Sequence, residues 1–339
     1  MCIRDSATDA PAERVAAPGR ARRTHPLAIP KLIRRPPMGS GRWSTDVYTA
    51  AENFRAATGQ SAFAYSDAGA RKAHPALDPE GVFMRECRDS DEHPVSTPIV
   101  VMFDVTGSMR NVPRVLQTKL PQLLGMLTRK GYAADPQIMF GAIGDATCDR
   151  VPLQVGQFES DNRMDEDLSR IVLEGGGGGT KQESYELAMY FLARHVLMDS
   201  MVQRQRKGYL FLIGDELPYP KVKPKEVKRV IGDDLAEPIP VASIVAELQR
   251  KFEVFFILPA SASYGGDSEV LAAWRELLGQ NVLELDDLNA VCETIALTVG
   301  LGEDNVDLDD GLDDLAAHAS SVAGALARRA DRSPQIRRV

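Results

Sequence analysis

The chain has 339 residues, of which 44% are hydrophobic, so it is long enough for one large α/β domain with additional segments. Its formal net charge of −8 argues against a general polyanion-binding protein. No stretch approaches the roughly 20 consecutive apolar residues of a membrane-spanning helix, and the N-terminus lacks the apolar segment of a signal peptide. These features predict a soluble cytoplasmic protein that has no membrane partner.

The first segment, residues 1–41, is rich in Ala, Arg and Pro and shows neither helical nor strand periodicity. This composition predicts a disordered basic arm. Residues 1–42 contain nine Arg and Lys against three Asp and Glu, a net charge of +6 that leaves −14 for the rest of the chain. The arm is interpreted either as a solvated tail or as a contact for an acidic partner or nucleic acid.

Residues 42–96 contain many turn-forming Asp, Pro and Gly residues. Ser44 is the predicted cap of a short helix that ends near Ala57, with Tyr48 and Phe54 on one side. We expect this segment to pack on the main domain as an extension, without a core of its own.

The main domain is predicted at residues 97–302. It opens with a continuous apolar run, Pro98–Phe103, which indicates a strand buried on both faces. A helix is predicted over Asn111–Lys130. Pro113 suits its first turn, and Pro121 is expected to kink it.

Later apolar runs alternate with helical patterns. Further strands are predicted at Gln137–Ile143, Val151–Phe158, Tyr209–Ile213, Val254–Leu258 and Asn281–Leu285, with the second of these at an edge. Helices are predicted at Asp161–Leu173, from Thr180 to about Val202, and at Val241–Lys251, Glu269–Leu278 and Asp287–Thr298. The alternation predicts a mostly parallel α/β sheet of six strands with helices on both faces. Residues 303–339 are predicted to be an acidic and then Arg-rich tail with one weak helix.

Oxygen-bearing side chains follow the first strand at alternate positions: Asp104, Thr106 and Ser108. Such positions point to one side of an extended chain, at the carboxyl end of a central strand where open sheets bind ligands. Carboxylate and hydroxyl oxygens suit Mg²⁺ or Mn²⁺. Thr180 ends a run of five glycines, and Asp215 follows a later strand, so three loops can converge on one ion.

This pattern resembles the metal-ion-dependent adhesion site of von Willebrand factor type A (vWA) domains, in which DxSxS is followed by a distant Thr and a distant Asp. The resemblance covers residues 97–300 and is closest to the bacterial intracellular type. It implies a doubly wound, Rossmann-like sheet and a Mg²⁺ site, with Mn²⁺ as the alternative ion. The implied ligands are Asp104, Thr106, Ser108, Thr180 and Asp215. Thr106 replaces the usual Ser, and the glycine run is longer than usual.

Three further acidic residues are expected near the ion: Asp145, Glu183 and Glu216, the last in place of a frequent Gly. Thr180 and Glu183 also match the Thr-x-x-Glu capping box of a helix start. The simpler interpretation of Asp104 and Ser108 is that they shape a turn and cap the next helix.

The resemblance implies a protein-interaction module that binds a partner's Asp or Glu through the ion. AAA+ ATPase assemblies are partners of similar intracellular proteins. An alternative is a metal-assisted hydrolase or phosphotransferase that uses Asp104, but Thr106 occupies the place of its second acid, and the Gly-Thr-Lys order at Lys181 is not that of a phosphate loop. We therefore predict that the protein is not an enzyme. A nucleic-acid-associated factor that uses the basic arms is the third hypothesis, although the acidic body argues against nucleic acid as a partner.

Overall fold

The computed structural model describes residues 41–59, 61–176, 179–315 and 318–330. The predicted basic arm therefore lies outside the described residues, apart from Gly41, and so do residues 331–339 at the end of the chain. The described residues belong to one compact unit. Within these ranges, no helix is both long enough and apolar enough to cross a bilayer.

Twelve strands occur in the described ranges, and six of them form the central sheet. The central strands are β2 (Ser96–Asp104), β3 (Asp135–Ile143), β4 (Leu153–Val155), β7 (Gly208–Ile213), β11 (Phe252–Pro259) and β12 (Val282–Leu285). The others pair in twos: β1 (Arg85–Cys87) with β6 (Val196–Met198), β5 (Gln182–Glu183) with β8 (Leu217–Pro218), and β9 (Lys221–Val222) with β10 (Ile239–Pro240).

The strand order of the central sheet is β12-β11-β7-β2-β3-β4. All neighbours are parallel except β3 and β4, which are antiparallel. Strand β4 is last in this order and therefore lies at an edge, as predicted. All six strands predicted from apolar runs are present. The prediction of a mixed α/β protein with a six-stranded, mostly parallel sheet is confirmed, and the architecture is consistent with a Rossmann-like fold.

The helices lie mostly between the strands. The first seven are α1 (Thr45–Thr58), α2 (Ala64–Asp67), α3 (Val112–Lys119), α4 (Pro121–Lys130), α5 (Arg163–Arg170), α6 (Tyr185–Arg194) and α7 (Asp199–Arg204). They are followed by α8 (Pro224–Val230), α9 (Val241–Leu248), α10 (Ser268–Leu278), α11 (Val291–Gly302), α12 (Leu308–Asp313) and α13 (Ala319–Ala330). Two 3₁₀ helices lie at Gly107–Met109 and Leu288–Ala290. The predicted effect of Pro121 is confirmed, because α3 ends and α4 begins around it.

The two faces of the sheet contribute to two hydrophobic clusters. Along β2, Ile99, Val101 and Phe103 join one cluster, which also contains buried residues of α3, α4, α11 and α13. Val100 and Met102 join the other, together with buried residues of α6, α9 and α10. All nine residues of β2 are buried, which explains why this strand reads as a continuous apolar run without alternation.

The register of the central strands aligns their carboxyl ends. Phe103 pairs with Ala142 of β3 on one side and with Ile213 of β7 on the other. The loops that begin at Asp104 and Gly214 therefore leave the sheet side by side. The edge that carries these loops is where the candidate site forms.

Residues 43–96 contact the central domain through α1 and the chain that follows it. The predicted cap is confirmed, since Ser44 Oγ accepts a hydrogen bond from Val47 N at 3.3 Å. Arg55 bonds Asp165 on α5 at 3.0 Å. The predicted shared face is wrong: Tyr48 is 6% exposed and Phe54 is 60% exposed, because six positions along a helix leave the two side chains about 120° apart around its axis.

The single helix predicted from Thr180 to about Val202 is also wrong. Strand β5 occupies Gln182–Glu183, helix α6 begins only at Tyr185, and strand β6 interrupts the helical stretch before α7. Strand β6 pairs with β1, so a distant segment supplies the hydrogen bonds that hold these residues extended.

The C-terminal region differs from the predicted loose tail. Helix α13 packs on the sheet face next to β12, and Val322, Ala325 and Leu326 are buried in the core. The helix predicted in this region is present, but its burial in the core is not predicted; residues 331–339 lie outside the described residues.

Candidate metal centre

Asp104 ends strand β2 and is completely buried. Its Oδ1 accepts hydrogen bonds from the backbone N of Thr106 at 2.8 Å and from the Thr106 hydroxyl at 2.6 Å. Its Oδ2 accepts a third from the Tyr185 hydroxyl at 2.8 Å. The carboxyl group is therefore held in one orientation by groups from two segments of the chain.

Ser108 connects this loop to the neighbouring strand. Its hydroxyl donates to Asp215 Oδ1 at 2.7 Å, and Glu216 Oε2 lies 3.2 Å away. The Thr106 and Ser108 hydroxyl oxygens are 3.3 Å apart. Carboxylate oxygens of Asp104, Asp215 and Glu216 all lie within 4.8 Å of one another. The structure thus brings together four of the five predicted ligands and adds Glu216.

The carboxyl groups of this cluster are buried close together, so their negative charges repel one another. Burial and, to a smaller extent, the nearby charges of Asp215 and Glu216 together raise the pKa of Asp104 to about 7, although the hydrogen bonds from Thr106 act to lower it. Burial also raises the pKa values of Asp215 and Glu216. A divalent cation would relieve this repulsion. The carboxylate and hydroxyl oxygens are the hard donors that Mg²⁺ and Mn²⁺ prefer, so the residues fit such an ion.

Glycines allow the site loops to approach one another. Gly107 N donates to Gly176 O, and Gly175 N donates to Val105 O at 3.1 Å. A Cβ atom at Gly107 would lie 2.9 Å from Gly176 O, so a side chain there would push the glycine run away. At Gly214, a Cβ atom would overlap the Tyr185 hydroxyl that bonds Asp104. The described part of the glycine run therefore supports the Asp104 loop.

Thr180 lies away from these contacts. The residue is exposed, and its hydroxyl contacts the Tyr219 phenol, which in turn lies 3.1 Å from Asp145 Oδ2. The predicted capping box is wrong, because Glu183 belongs to strand β5 and the helix begins after it. The structure does not place the Thr180 hydroxyl in the hydrogen-bond network of Asp104 and Ser108.

Two of the acidic residues predicted near the ion occupy different environments. Asp145 is buried, and its carboxylate accepts hydrogen bonds at 2.7 Å from the backbone N and from the hydroxyl of Thr147. Glu183 is 2% exposed, and the charges that act on it most strongly belong to Asp104 and Glu216. Asp145 thus has hydrogen-bond partners in Thr147 and Tyr219, whereas Glu183 interacts chiefly with the acidic residues of the cluster.

Sequence reasoning missed Tyr185. A tyrosine at the start of an apolar helix is typical of a core residue, and nothing local distinguishes one that bonds a carboxylate. Its ring does pack in the core, edge-to-face against Trp274 with ring centroids 5.2 Å apart. The signal that could have found it is the run Glu183-Ser184-Tyr185-Glu186, which places polar groups on both sides of the first residue of that helix.

Comparison with known proteins gives distant structural similarity alone. No protein-family model matches the chain, and no curated protein matches it. The pilus adhesin SpaC from Lactobacillus rhamnosus GG, in its open conformation, has a TM-score of 0.44 at 9% identity, over 64% of this chain and 31% of the adhesin. Proximal thread matrix protein 1 from the mussel byssus has a TM-score of 0.40 at 14% identity, over 64% of this chain and 49% of that protein.

The aligned region thus spans less than half of either protein. Similarity this distant assigns neither a family nor a function to this chain.

Proposed function

We propose that this chain is a protein-interaction module whose binding surface is organised by a divalent cation, with Mg²⁺ as the resident ion and Mn²⁺ as a substitute. The observation that carries the proposal is the meeting of carboxylate oxygens from Asp104, Asp215 and Glu216 within 4.8 Å, beside the hydroxyls of Thr106 and Ser108. An ion there would supply the positive charge that three buried carboxyl groups lack.

The strand order supports assignment to a doubly wound, Rossmann-like fold of the vWA type. From β2 the chain continues to β3 on one side and reaches β7 on the other, so the order reverses next to β2. Open α/β sheets bind ligands beyond the carboxyl ends of the strands at such a reversal. Asp104 is the last residue of β2, and Asp215 follows β7, the two strands that flank this reversal.

The mouth of the site supports a partner that offers an Asp or Glu side chain. Ser108 is partly exposed, and Gly107 and Arg110 beside it are exposed. Arg110 bonds the Ser263 hydroxyl at 3.1 Å, and its positive charge acts on Asp215. An incoming carboxylate would meet this cation as well as the ion. An intracellular AAA+ assembly is the partner class that the sequence resemblance implies.

The environment of Asp104 favours binding over catalysis. A carboxylate nucleophile must present a free oxygen to its substrate. Both oxygens of Asp104 accept hydrogen bonds, and the residue has no exposed surface. We therefore propose that Asp104 holds an ion and does not attack a substrate.

Calorimetric titration with Mg²⁺ and Mn²⁺ tests the metal site. We expect one site in the wild type and at least about 100-fold weaker binding in Asp104→Asn. Such a loss exceeds the decrease in affinity of about 10- to 100-fold that is typical when a residue that only supports a metal ligand is replaced. Asp145→Asn is the matched control, because this buried aspartate lies in the loop after the neighbouring strand and should leave the affinity within about threefold. Absence of wild-type binding, or equal binding by Asp104→Asn, would contradict the proposal.

Water relaxation of the Mn²⁺-loaded protein tests the open position. An ion that keeps exchangeable water should enhance proton relaxation, and acetate, as a simple carboxylate, should lower that enhancement by replacing water. A Mn²⁺-loaded protein that gives no enhancement would show an ion closed off by protein ligands, and partner binding through the ion would then be refuted.

A further inference from the structure

Glu183 is a buried carboxyl group with one unsatisfied oxygen. It is 2% exposed, and its Oε2 has no hydrogen-bond partner among the described residues. Strand β5 places it opposite Pro218, so it lies beside the chain that continues from Asp215 and Glu216. The next residue is fixed as well, because Ser184 Oγ accepts a hydrogen bond from Ala146 N at 2.8 Å. The backbone that carries Glu183 is therefore held by the pairing with β8 and by the contact of the residue that follows it.

The surroundings of Glu183 make its unsatisfied oxygen costly. The charges that act on it most strongly come from Asp104, Glu216 and Asp145, all acidic, and its carboxyl group shares a hydrogen bond with Glu216. A buried polar atom without a partner typically costs about 1–3 kcal/mol. Carboxyl groups so placed are tolerated when a cation is their missing partner. Glu183 is thus a fourth buried carboxyl group, and it lies beside Glu216 next to the three carboxyl groups that are within 4.8 Å of one another.

Thr180 has the opposite properties. It is exposed, and its hydroxyl contacts Tyr219. The next residue, Lys181, turns outward to Asp267 and Glu269, at 2.6 and 3.0 Å. Residues 180 and 181 thus belong to the surface, and burial begins with Glu183.

We propose that Glu183, and not Thr180, supplies the protein ligand that this segment of the chain gives to the ion, through the Oε2 atom that lacks a partner. The inference rests on the proposed metal site and changes its chemistry. A neutral hydroxyl is replaced by a carboxylate, so the protein adds a negative charge to the ligand set. Affinity for hard cations rises with the number of charged ligands, so the ion should be held firmly before any partner arrives.

Calorimetric titration of the full chain with Mg²⁺ alone separates the two residues. We expect Glu183→Gln to weaken binding at least about tenfold and Thr180→Val to change it less than about threefold. Glu186→Gln is the matched control. Glu186 is an equally buried carboxyl group three positions along, and its Oε1 also lacks a hydrogen-bond partner among the described residues. Its Oε2 accepts from Tyr219 N at 3.2 Å, and the charge that acts on it most strongly is that of Glu226, so among the described residues it differs from Glu183 in having no contact with the cluster. This variant should retain wild-type affinity.

Glu183→Asp distinguishes a ligand from a distant charge, since it keeps the charge and shortens the side chain by one methylene. A ligand loses its reach, so this variant should bind as weakly as Glu183→Gln. If circular dichroism shows that Glu183→Gln does not fold, Glu183→Asp replaces it in the comparison with Thr180→Val. Wild-type affinity in Glu183→Asp, or a loss in Thr180→Val with none in Glu183→Gln, would overturn the inference and leave the metal site standing. A wild type that binds no Mg²⁺ would instead refute the metal site itself.

Discussion

Replacement of Gly214 by alanine should destabilise the fold through a single contact. The added Cβ atom would overlap the Tyr185 hydroxyl and lie 2.7 Å from its Cζ atom. The Tyr185 ring cannot retreat, because it packs edge-to-face on Trp274 and Phe256, with ring centroids 5.2 and 6.0 Å away. Its hydrogen bond to Asp104 Oδ2 must then break.

Two costs combine in this variant. Overpacking a filled core costs about 1–3 kcal/mol. Loss of a hydrogen bond to a carboxylate costs about 1.5–3 kcal/mol. We expect the free energy of unfolding of Gly214→Ala to fall by about 3–5 kcal/mol, read from urea denaturation at constant m-value.

Gly176→Ala is the control for this experiment. The nearest atom that its Cβ would meet is Asp149 Oδ1, 3.7 Å away, so the substitution fits without strain. Its stability should stay within about 0.5 kcal/mol of the wild type. A loss below about 1 kcal/mol in Gly214→Ala would refute the reasoning, because Tyr185 would then have room to move.

Three other predictions address the same molecule. Tyr185→Phe should lower the free energy of unfolding by about 1.5–3 kcal/mol and weaken Mg²⁺ binding about 10- to 100-fold, whereas a stability loss with unchanged calorimetric affinity would show that the residue only packs. Because the folded-state pKa of Asp104 is raised from 3.8 to about 7, the folded metal-free protein holds a proton that the unfolded chain releases, so stability should fall as pH rises from about 4 to about 7. The stabilisation by Mg²⁺ should grow over that window, and an equally steep pH dependence of metal-free stability in Asp104→Asn would contradict this assignment. Val322→Asp should cost at least about 3 kcal/mol in urea denaturation because the side chain is fully buried, while the exposed Ser320→Asp should be neutral; equal stabilities would show that α13 does not belong to the core.

The sheet could be predicted because its signal is local. A strand buried on both faces must be apolar throughout, and β2 and β7 are buried at every position. Asp104 and Asp215 could then be predicted as site residues, because they are the polar residues at the carboxyl ends of these two strands. Pro121 acts equally locally, since it lacks the N–H that would continue the helix.

The region around Thr180 could not be predicted because two local patterns agree there and a distant segment overrides both. Thr-x-x-Glu is a valid helix start, and the apolar residues that follow have helical spacing. Pairing of Glu183 with Pro218, thirty-five positions later, holds the backbone extended and delays the helix to Tyr185. The same pairing brings Glu183 close to the chain that contains Glu216, and both side chains are buried. Their burial could not be predicted, because it depends on this contact between distant segments.

The neighbours of β2 have a consequence for the chain during its synthesis. Ile99 pairs with Ile138 on one side and with Tyr209 on the other. A ribosome-bound chain can therefore complete β2, β3 and β4 long before β7 emerges, and in that interval the apolar edge of β2 is open. Open edges of this kind recruit strands from other molecules. A fragment that ends before Gly208 is therefore expected to sediment as oligomers, whereas the full chain covers the edge with its own strand.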